Sequence, residues 1–138
     1  MKLIFTDTNI LVDVLAERLP YSKYAAELFD LAEKKKVKLY TSSHSYATTH
    51  YLLKKYMEEA ALRQALVSLL DFIEIIPIDV AIIRKGLHSK YKDFEDAIQI
   101  FAANTVNKLD FIVTRNLKDF KDAGVAVLSP DELLSHLI

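Results

Sequence analysis

Acidic and amide side chains follow two apolar segments of the sequence and begin one long helical pattern. Asp7 comes directly after the first apolar segment, and Asn116 and Asp119 follow the fourth. Asp93 and Asp96 both lie at the start of the helical pattern. Carboxylates that converge on one point repel one another unless a cation lies between them, and Mg²⁺ and Mn²⁺ prefer such oxygen ligands. The residues therefore predict a divalent-metal site.

Helical geometry separates the acids between positions 93 and 96 by direction. At about 100° per residue, Asp93 falls on the face of Ala97 and Ile100, and Asp96 flanks that face. Glu95 points roughly to the opposite side. We predict that Asp93 and Asp96 face the interior and that Glu95 faces solvent.

Helix capping is the alternative role for each of these acids. Asp7 and Asp93 each precede a predicted helix, where a carboxylate accepts hydrogen bonds from free backbone N–H groups. Asp96 would gain from the helix dipole, and Asp119 could be a surface or loop-capping acid. For each residue taken singly, the capping role remains open. Taken together, acids and amides that follow two strands and begin one helix are harder to explain as caps.

The elements that would position these residues alternate along the chain. Apolar runs predict strands, and apolar residues at helical spacing predict the helices between them. Such alternation is typical of a parallel sheet with helices on both faces, whose reactive groups gather at the carboxyl ends of the strands. We predict an α/β fold, a single domain over 1–138 with a five-stranded, mostly parallel sheet. Strands are expected at 2–6, 37–40, 74–78, 110–114 and 125–128, and helices at 8–15, 21–35, 43–56, 62–73, 79–87, 93–107 and from 130 onward.

Composition excludes several kinds of site. The 138 residues include no cysteine, so thiolate metal sites, disulfides and cysteine nucleophiles are absent. Lys and Arg number 18 against 19 for Asp and Glu, so no net positive charge attracts nucleic acid. No apolar run is long enough to span a bilayer, and the first residues reach an acid too early for a signal peptide. We expect a cytoplasmic protein that does not bind membranes.

Histidine, serine and glycine residues do not form a recognisable catalytic pattern. The four histidines lack metal-ligand spacing, and we interpret them as surface or packing residues. The serines of the 42–45 segment are not in a nucleophile-elbow context. With Gly86 and Gly124 as the only glycines, the chain has no glycine-rich loop for phosphate. These absences disfavour kinases and dinucleotide enzymes.

The residues discussed above lie in three segments, 4–11 (IFTDTNIL), 93–99 (DFEDAIQ) and 112–120 (IVTRNLKDF). These segments resemble those of PIN-domain proteins, in particular the VapC-like group. Their order and spacing match that family over essentially the whole chain. The resemblance implies hydrolysis of RNA with Mg²⁺ or Mn²⁺, and in many members a toxin role in a toxin–antitoxin pair. It also implies that Asp7 and Asp96 match two family acids and that Asn116 occupies the late site position.

One position departs from the family pattern. PIN domains usually place a Glu in the helix after the second strand, in a pattern similar to Ser-x-x-Thr-x-x-Glu. Here Ser42 and Ser45 keep the spacing, but Thr48 stands at the Glu position. A hydroxyl is a poorer ligand for a hard cation than a carboxylate. The resemblance therefore implies weaker metal binding, unless Asp93 restores the charge, or an inactive member of the family.

The leading hypothesis is a metal-dependent ribonuclease. Its predicted catalytic residues are Asp7, Asp93, Asp96 and Asn116, of which the three aspartates bind the metal. Asn9, Thr48 and Asp119 would hold a water or a second ion, and Arg115 and Lys118 would contact the RNA backbone. The alternative is a degenerate PIN domain that binds RNA or protein. A phosphotransferase of the haloacid-dehalogenase type is disfavoured, because it requires an Asp at the position of Asn9.

The expected partners are RNA, a small antitoxin-like protein and a second copy of the chain. Aromatic residues on the early helices could form the protein contacts, with ordinary core packing as the alternative. These aromatic residues are Tyr21, Tyr24, Tyr51 and Tyr56.

Overall fold

The computed structural model describes residues 1–137, in which strands and helices alternate. None of the described helices is long and apolar enough to cross a membrane. The strands are β1 (Lys2–Thr6), β2 (Val37–Ser42), β3 (Ile73–Ile76), β4 (Phe111–Val113) and β5 (Ala126–Leu128). The helices are α1 (Thr8–Ala16), α2 (Tyr21–Glu33), α3 (Ser43–Leu53), α4 (Glu59–Leu69), α5 (Val80–His88), α6 (Phe94–Ala103) and α7 (Pro130–Leu137), and a 3₁₀ helix spans Leu117–Phe120.

The five strands form one sheet in the order β3-β2-β1-β4-β5. Each neighbouring pair is parallel, with Ile4 of β1 in register with Leu39 of β2 and with Phe111 of β4. The predicted α/β class and five-stranded sheet are confirmed, and the sheet is parallel throughout. Because β1 is central, its carboxyl end lies between those of β2 and β4, where the predicted site residues follow.

Two hydrophobic cores lie on opposite faces of the sheet. Successive residues of a strand point to opposite faces, so Ile4 contributes to one core and Phe5 to the other. The first core includes Leu28 of α2, and the second includes Ile100 of α6. Helices therefore cover both faces, as predicted for a sheet whose strands read as continuous apolar runs.

Several predicted boundaries differ from the structure. Ile73, which the helical pattern assigned to a helix, is the first residue of β3 and pairs with Leu39 of β2. The preceding helix ends at Leu69, because burial of Ile73 in the sheet outweighs the helical period. The predicted helix over 93–107 is shorter, with Asp93 as its N-cap and Ala103 as its last residue.

Candidate active site

Asp7 lies at the carboxyl end of β1 and is almost completely buried, with 6% of its surface exposed. Its backbone N–H donates to the carbonyl of Val113 at 3.0 Å, which extends the β1–β4 pairing to this position. One carboxylate oxygen caps α1 by accepting from the Thr8 N–H at 2.8 Å. The other accepts from the Thr114 hydroxyl at 2.8 Å and from the Asn9 amide at 3.2 Å. Asp7 is thus a helix cap whose second oxygen is held by neutral donors.

The pKa of the Asp7 carboxyl is raised above its ordinary value of 3.8, chiefly by burial. Hydrogen bonds from Thr114 and Thr8 oppose this increase, and the nearby charge of Asp119 adds to it. The charge of Arg115 lowers the pKa and is the smallest of these effects. Desolvation of the carboxylate therefore dominates at this position.

Asp96 lies in the first turn of α6 and is half-buried. Its pKa is raised to about 7, first by burial and then by the negative charges of Asp93, Asp7, Asp119 and Glu95, in that order. Repulsion of this kind requires that the acids be close, so the fold brings together carboxylates that are far apart in sequence.

Asp93 belongs to this cluster by its charge but lies outside the cavity lining. It is exposed, and its carboxylate caps α6 by accepting from the Asp96 N–H at 2.9 Å. Asp93 is not one of the described residues that line the cavity containing Asp7 and Asp96. Glu95, predicted to face solvent, is exposed but reaches the cavity edge. The interior direction expected for Asp93 is not seen, because the residue precedes the first helical turn.

A cavity of about 880 Å³ opens at the carboxyl ends of β1 and β2. One part of its lining contains Asp7, Asn9, Asp96 and Asn116. Another part is formed by α1 and by the end of α3 with the segment after it, where apolar residues such as Val12, Leu53 and Met57 lie beside charged ones, namely Glu17, Arg18 and Lys55. A ligand with both charged and apolar parts would fit such a cavity.

The loop after β4 supplies a hydrogen-bond donor to Asp7, Thr114, that the sequence analysis did not identify. The buried Thr114 donates its hydroxyl proton to Asp7, and the same oxygen accepts from the Asn116 N–H at 3.0 Å. The side chain of Asn9 also contacts this loop, because its oxygen accepts from the Arg115 N–H at 3.4 Å. Thr114 therefore links the first acid to the late site residue.

Arg115, predicted to contact RNA, is held by a buried acid instead. Asp13 of α1 is fully buried and accepts from the Arg115 guanidinium at 2.7 and 3.1 Å. Arg18 also reaches Asp13, at 2.8 Å. The guanidinium of Arg115 additionally lies over the Tyr21 ring, 4.0 Å from its centre. The site loop is thereby fastened to α1 and α2.

The remaining predicted residues lie at the rim. Lys118 and Asp119 are exposed on the 3₁₀ helix outside the cavity lining, although the charge of Asp119 raises the pKa of both Asp7 and Asp96. Thr48 lines the cavity, with its hydroxyl 3.3 Å from the His44 ring nitrogen Nε2, which is 3.5 Å from a Glu95 oxygen.

Sequence reasoning missed several residues of this region. Lys55 and His44 line the cavity, and His44 had been interpreted as a surface or packing residue. Gln99 also lines it and was not singled out. A polar residue three positions after Asp96, on the apolar face of α6, is the signal that could have identified Gln99.

The chemistry of the donor set fits a hard divalent cation. Asp7 and Asp96 take part in no ion pair within residues 1–137, so no cationic side chain lies directly against either carboxylate. In the same described region, no three His, Cys, Asp or Glu side chains converge as a complete ligand group. Mg²⁺ is commonly held by one or two carboxylates together with waters and substrate phosphates. Two carboxylates with neighbouring amides are therefore sufficient for such an ion.

Comparison with known families agrees with this arrangement. The PIN-domain family model matches residues 4–118. The chain belongs to the PIN-domain family. Ribonuclease VapC1 of Aquifex aeolicus (strain VF5) is 30% identical over 135 residues, which cover 94% of this chain and 91% of that protein.

Two solved structures resemble this fold over most of the chain. A toxin–antitoxin complex from Klebsiella pneumoniae has a chain 28% identical, with a TM-score of 0.64 over 92% of this chain and 97% of that one. The structure of FitAB bound to an IR36 DNA fragment contains a chain 22% identical, with a TM-score of 0.68 over 92% and 94% of the two chains. The second similarity concerns the fold alone. The predicted resemblance to PIN domains of the VapC type is confirmed.

Proposed function

We propose that this PIN domain is a ribonuclease that depends on Mg²⁺ or Mn²⁺. The observation that carries the proposal is the meeting of buried Asp7 and half-buried Asp96 in one cavity without a basic partner among the described residues. Such an arrangement destabilises the metal-free protein and favours binding of a cation. The 30% identity to Ribonuclease VapC1 supports RNA as the substrate.

Asp7 and Asp96 would hold the ion, and the neighbouring residues position them. When bound, the ion polarises a phosphoryl oxygen and lowers the pKa of water. Thr114 and Asn9 fix the orientation of the Asp7 carboxylate through the hydrogen bonds described above. Asn116, at the cavity wall, is placed to orient a water or a phosphate oxygen.

Lys55 is placed to hold the RNA backbone, since it lines the same cavity and forms none of the described ion pairs. The guanidinium of Arg115 is occupied by Asp13, so we assign it a positioning role. Lys118 and Asp119 remain candidates for contacts at the rim, where both are exposed.

Cleavage of RNA by the purified protein tests this proposal. We expect cleavage with Mn²⁺ or Mg²⁺, none with EDTA, and loss of cleavage in Asp7→Asn and Asp96→Asn, because an amide keeps the shape but not the charge. Asp71→Asn is the matched control, since Asp71 is exposed and outside the cavity. Cleavage that survives in Asp7→Asn or in EDTA would contradict the proposal.

The position of Thr48 favours a second candidate, a PIN domain that binds RNA or protein without cleaving it. Thr48 lines the cavity but brings a hydroxyl rather than a carboxylate. Undetectable Mn²⁺ binding and cleavage in the wild type would support this candidate. Thr48→Glu then serves as a gain-of-function test, and Asp93→Asn tests whether Asp93 contributes more than a helix cap.

We also propose a small antitoxin-like protein partner, as in the Klebsiella pneumoniae complex. Tyr51, Leu52 and Tyr56 are exposed where the end of α3 and the segment after it line the cavity, and they offer a surface for an apolar segment. Co-purification with the product of an adjacent short reading frame is the expected result, and Tyr56→Ser should weaken it.

Light scattering tests the predicted homodimer, which a purely monomeric protein at all concentrations would exclude.

A further inference from the structure

Among the described residues, the side-chain oxygen Oε1 of Gln99 is the buried side-chain polar atom that has no hydrogen-bond partner. The residue lies on α6, is 2% exposed and lines the cavity that contains Asp7 and Asp96. A buried carbonyl oxygen without a donor is destabilising, and native proteins rarely retain one without a reason. An atom that binds at this oxygen would remove the deficit.

The other end of the Gln99 amide is fixed by hydroxyl groups. Its Nε2 donates to Ser45 Oγ and, at 3.4 Å, to Thr8 Oγ1. The two hydroxyl groups share a hydrogen bond of 2.8 Å with each other. With Nε2 held by these oxygens, Oε1 is turned away from them.

Gln99 is also close to the acids along the chain. It lies three residues after Asp96 on α6, so the two side chains share one side of the helix. Thr8, which contacts the Gln99 amide, donates its backbone N–H to Asp7. The amide thus lies between the segments that carry the two acids.

A metal ion at this site would leave most of its ligand positions to neutral oxygens. An octahedral ion takes six oxygen ligands, and Asp7 and Asp96 would supply two of them, so waters or amide oxygens fill the others. The Asn9 oxygen already accepts from the Arg115 N–H, whereas Gln99 Oε1 accepts from no described group. An amide oxygen is an accepted ligand of hard cations.

We propose that Gln99 Oε1 is a metal ligand, or accepts from a water on the metal, and so completes the site begun by Asp7 and Asp96. This inference rests on the proposed metal dependence. Gln99 would then bind the cation, whereas its apolar neighbours on α6 pack in the core. The site would take a hard, oxygen-preferring ion.

Calorimetric titration of Mn²⁺ into purified metal-free variants tests the proposal without measuring activity. We expect Gln99→Leu to weaken Mn²⁺ binding by about 10-fold or more. Gln99→Glu adds a negative charge at the same position, so it should tighten binding by about 10-fold or more and lower the melting temperature of the metal-free protein. Gln64→Glu is the matched control, because Gln64 is exposed on α4 and outside the cavity; it should leave binding unchanged.

The outcomes separate this inference from the proposed function. If the wild type does not bind Mn²⁺, the proposed metal dependence itself fails. If the wild type binds and Gln99→Leu binds equally well while folded by circular dichroism, the oxygen is not a ligand and the inference is overturned. Weaker binding in Gln99→Glu also overturns it, since the amide would then present its N–H groups to the site. Should Gln99→Leu fail to fold, the Gln99→Glu titration decides alone.

Discussion

Replacing Asp96 by Asn changes how the stability of the metal-free protein depends on pH. The unfolded chain ionises this carboxyl near 3.8, whereas in the folded protein burial and the neighbouring acids raise its pKa to about 7. Between these two values the folded state holds a proton that the unfolded state has lost. The free energy of unfolding therefore falls as the pH rises through this range, and the loss is complete above about pH 7. Asn cannot ionise, so the variant avoids this loss.

The size of the effect follows from the two pKa values. A difference between 3.8 and about 7 corresponds to about 4 kcal/mol at about 1.4 kcal/mol per pH unit. Because the Asp96 side chain is only half-buried, solvent screening reduces this to roughly 1–2 kcal/mol. We expect Asp96→Asn to be more stable than the wild type by that amount at pH 8 and equally stable near pH 3.5.

Urea unfolding in EDTA at several pH values measures this difference, with Asp71→Asn as the control that should show no pH-dependent gain. Addition of Mn²⁺ should then stabilise the wild type more than Asp96→Asn. A carboxylate in a first helical turn can also stabilise the helix through the dipole, which predicts the opposite sign. A variant that is less stable than the wild type at pH 8 in EDTA would refute our account.

Three further substitutions test the residues that position the site. Asp13→Asn leaves the guanidinium of Arg115 without its buried partner, and urea unfolding should show a loss of about 3–5 kcal/mol. Thr114→Val removes the hydroxyl donor to Asp7 and should destabilise the protein by about 1–3 kcal/mol and slow RNA cleavage, whereas Thr114→Ser should retain both properties. The Oγ of Ser42 caps α3 by accepting from the Ser45 N–H at 2.9 Å. Ser42→Ala removes this cap, and thermal unfolding should show that the free energy of unfolding falls by about 1 kcal/mol. Unchanged stability in Asp13→Asn, equal behaviour of both Thr114 variants, or an unchanged Ser42→Ala would contradict the respective assignment.

The architecture could be predicted because its signals are local. The strands are apolar on both sides: Ile4 and Phe5, which are adjacent in β1, lie in opposite hydrophobic cores. This pattern alone indicates a sheet that is covered by helices on both faces. Placement of Asp7 after β1 followed from the same reasoning. Ile73 was misassigned because an isoleucine at a helical interval also suits a short buried strand, and pairing with Leu39 decides between them.

The contacts that hold the site could not be predicted, because they join residues far apart in sequence. Thr114 reaches Asp7 across 107 positions, and Arg115 reaches Asp13 across 102. Asp13 did leave a signal, an acid within an apolar helical run, which indicates a buried charge with an unidentified partner. Asp93 was placed on the wrong side because face assignment fails for a residue that precedes the helix.

Within residues 1–137, the distribution of charge leaves Asp7 without a cationic side chain beside it. Arg115 is adjacent in sequence to Thr114, which hydrogen-bonds Asp7, and could have neutralised the acid cluster. Asp13 binds this arginine instead, and the effect of Arg115 on the pKa of Asp7 is correspondingly the smallest of those identified. The described contacts of Asp7 come from a hydroxyl, an amide and a backbone N–H, which orient the carboxylate without supplying a full positive charge. Asp13 thus binds both Arg115 and Arg18, whereas no cationic side chain among the described residues pairs with Asp7 or Asp96, which is the arrangement that the proposed metal binding requires.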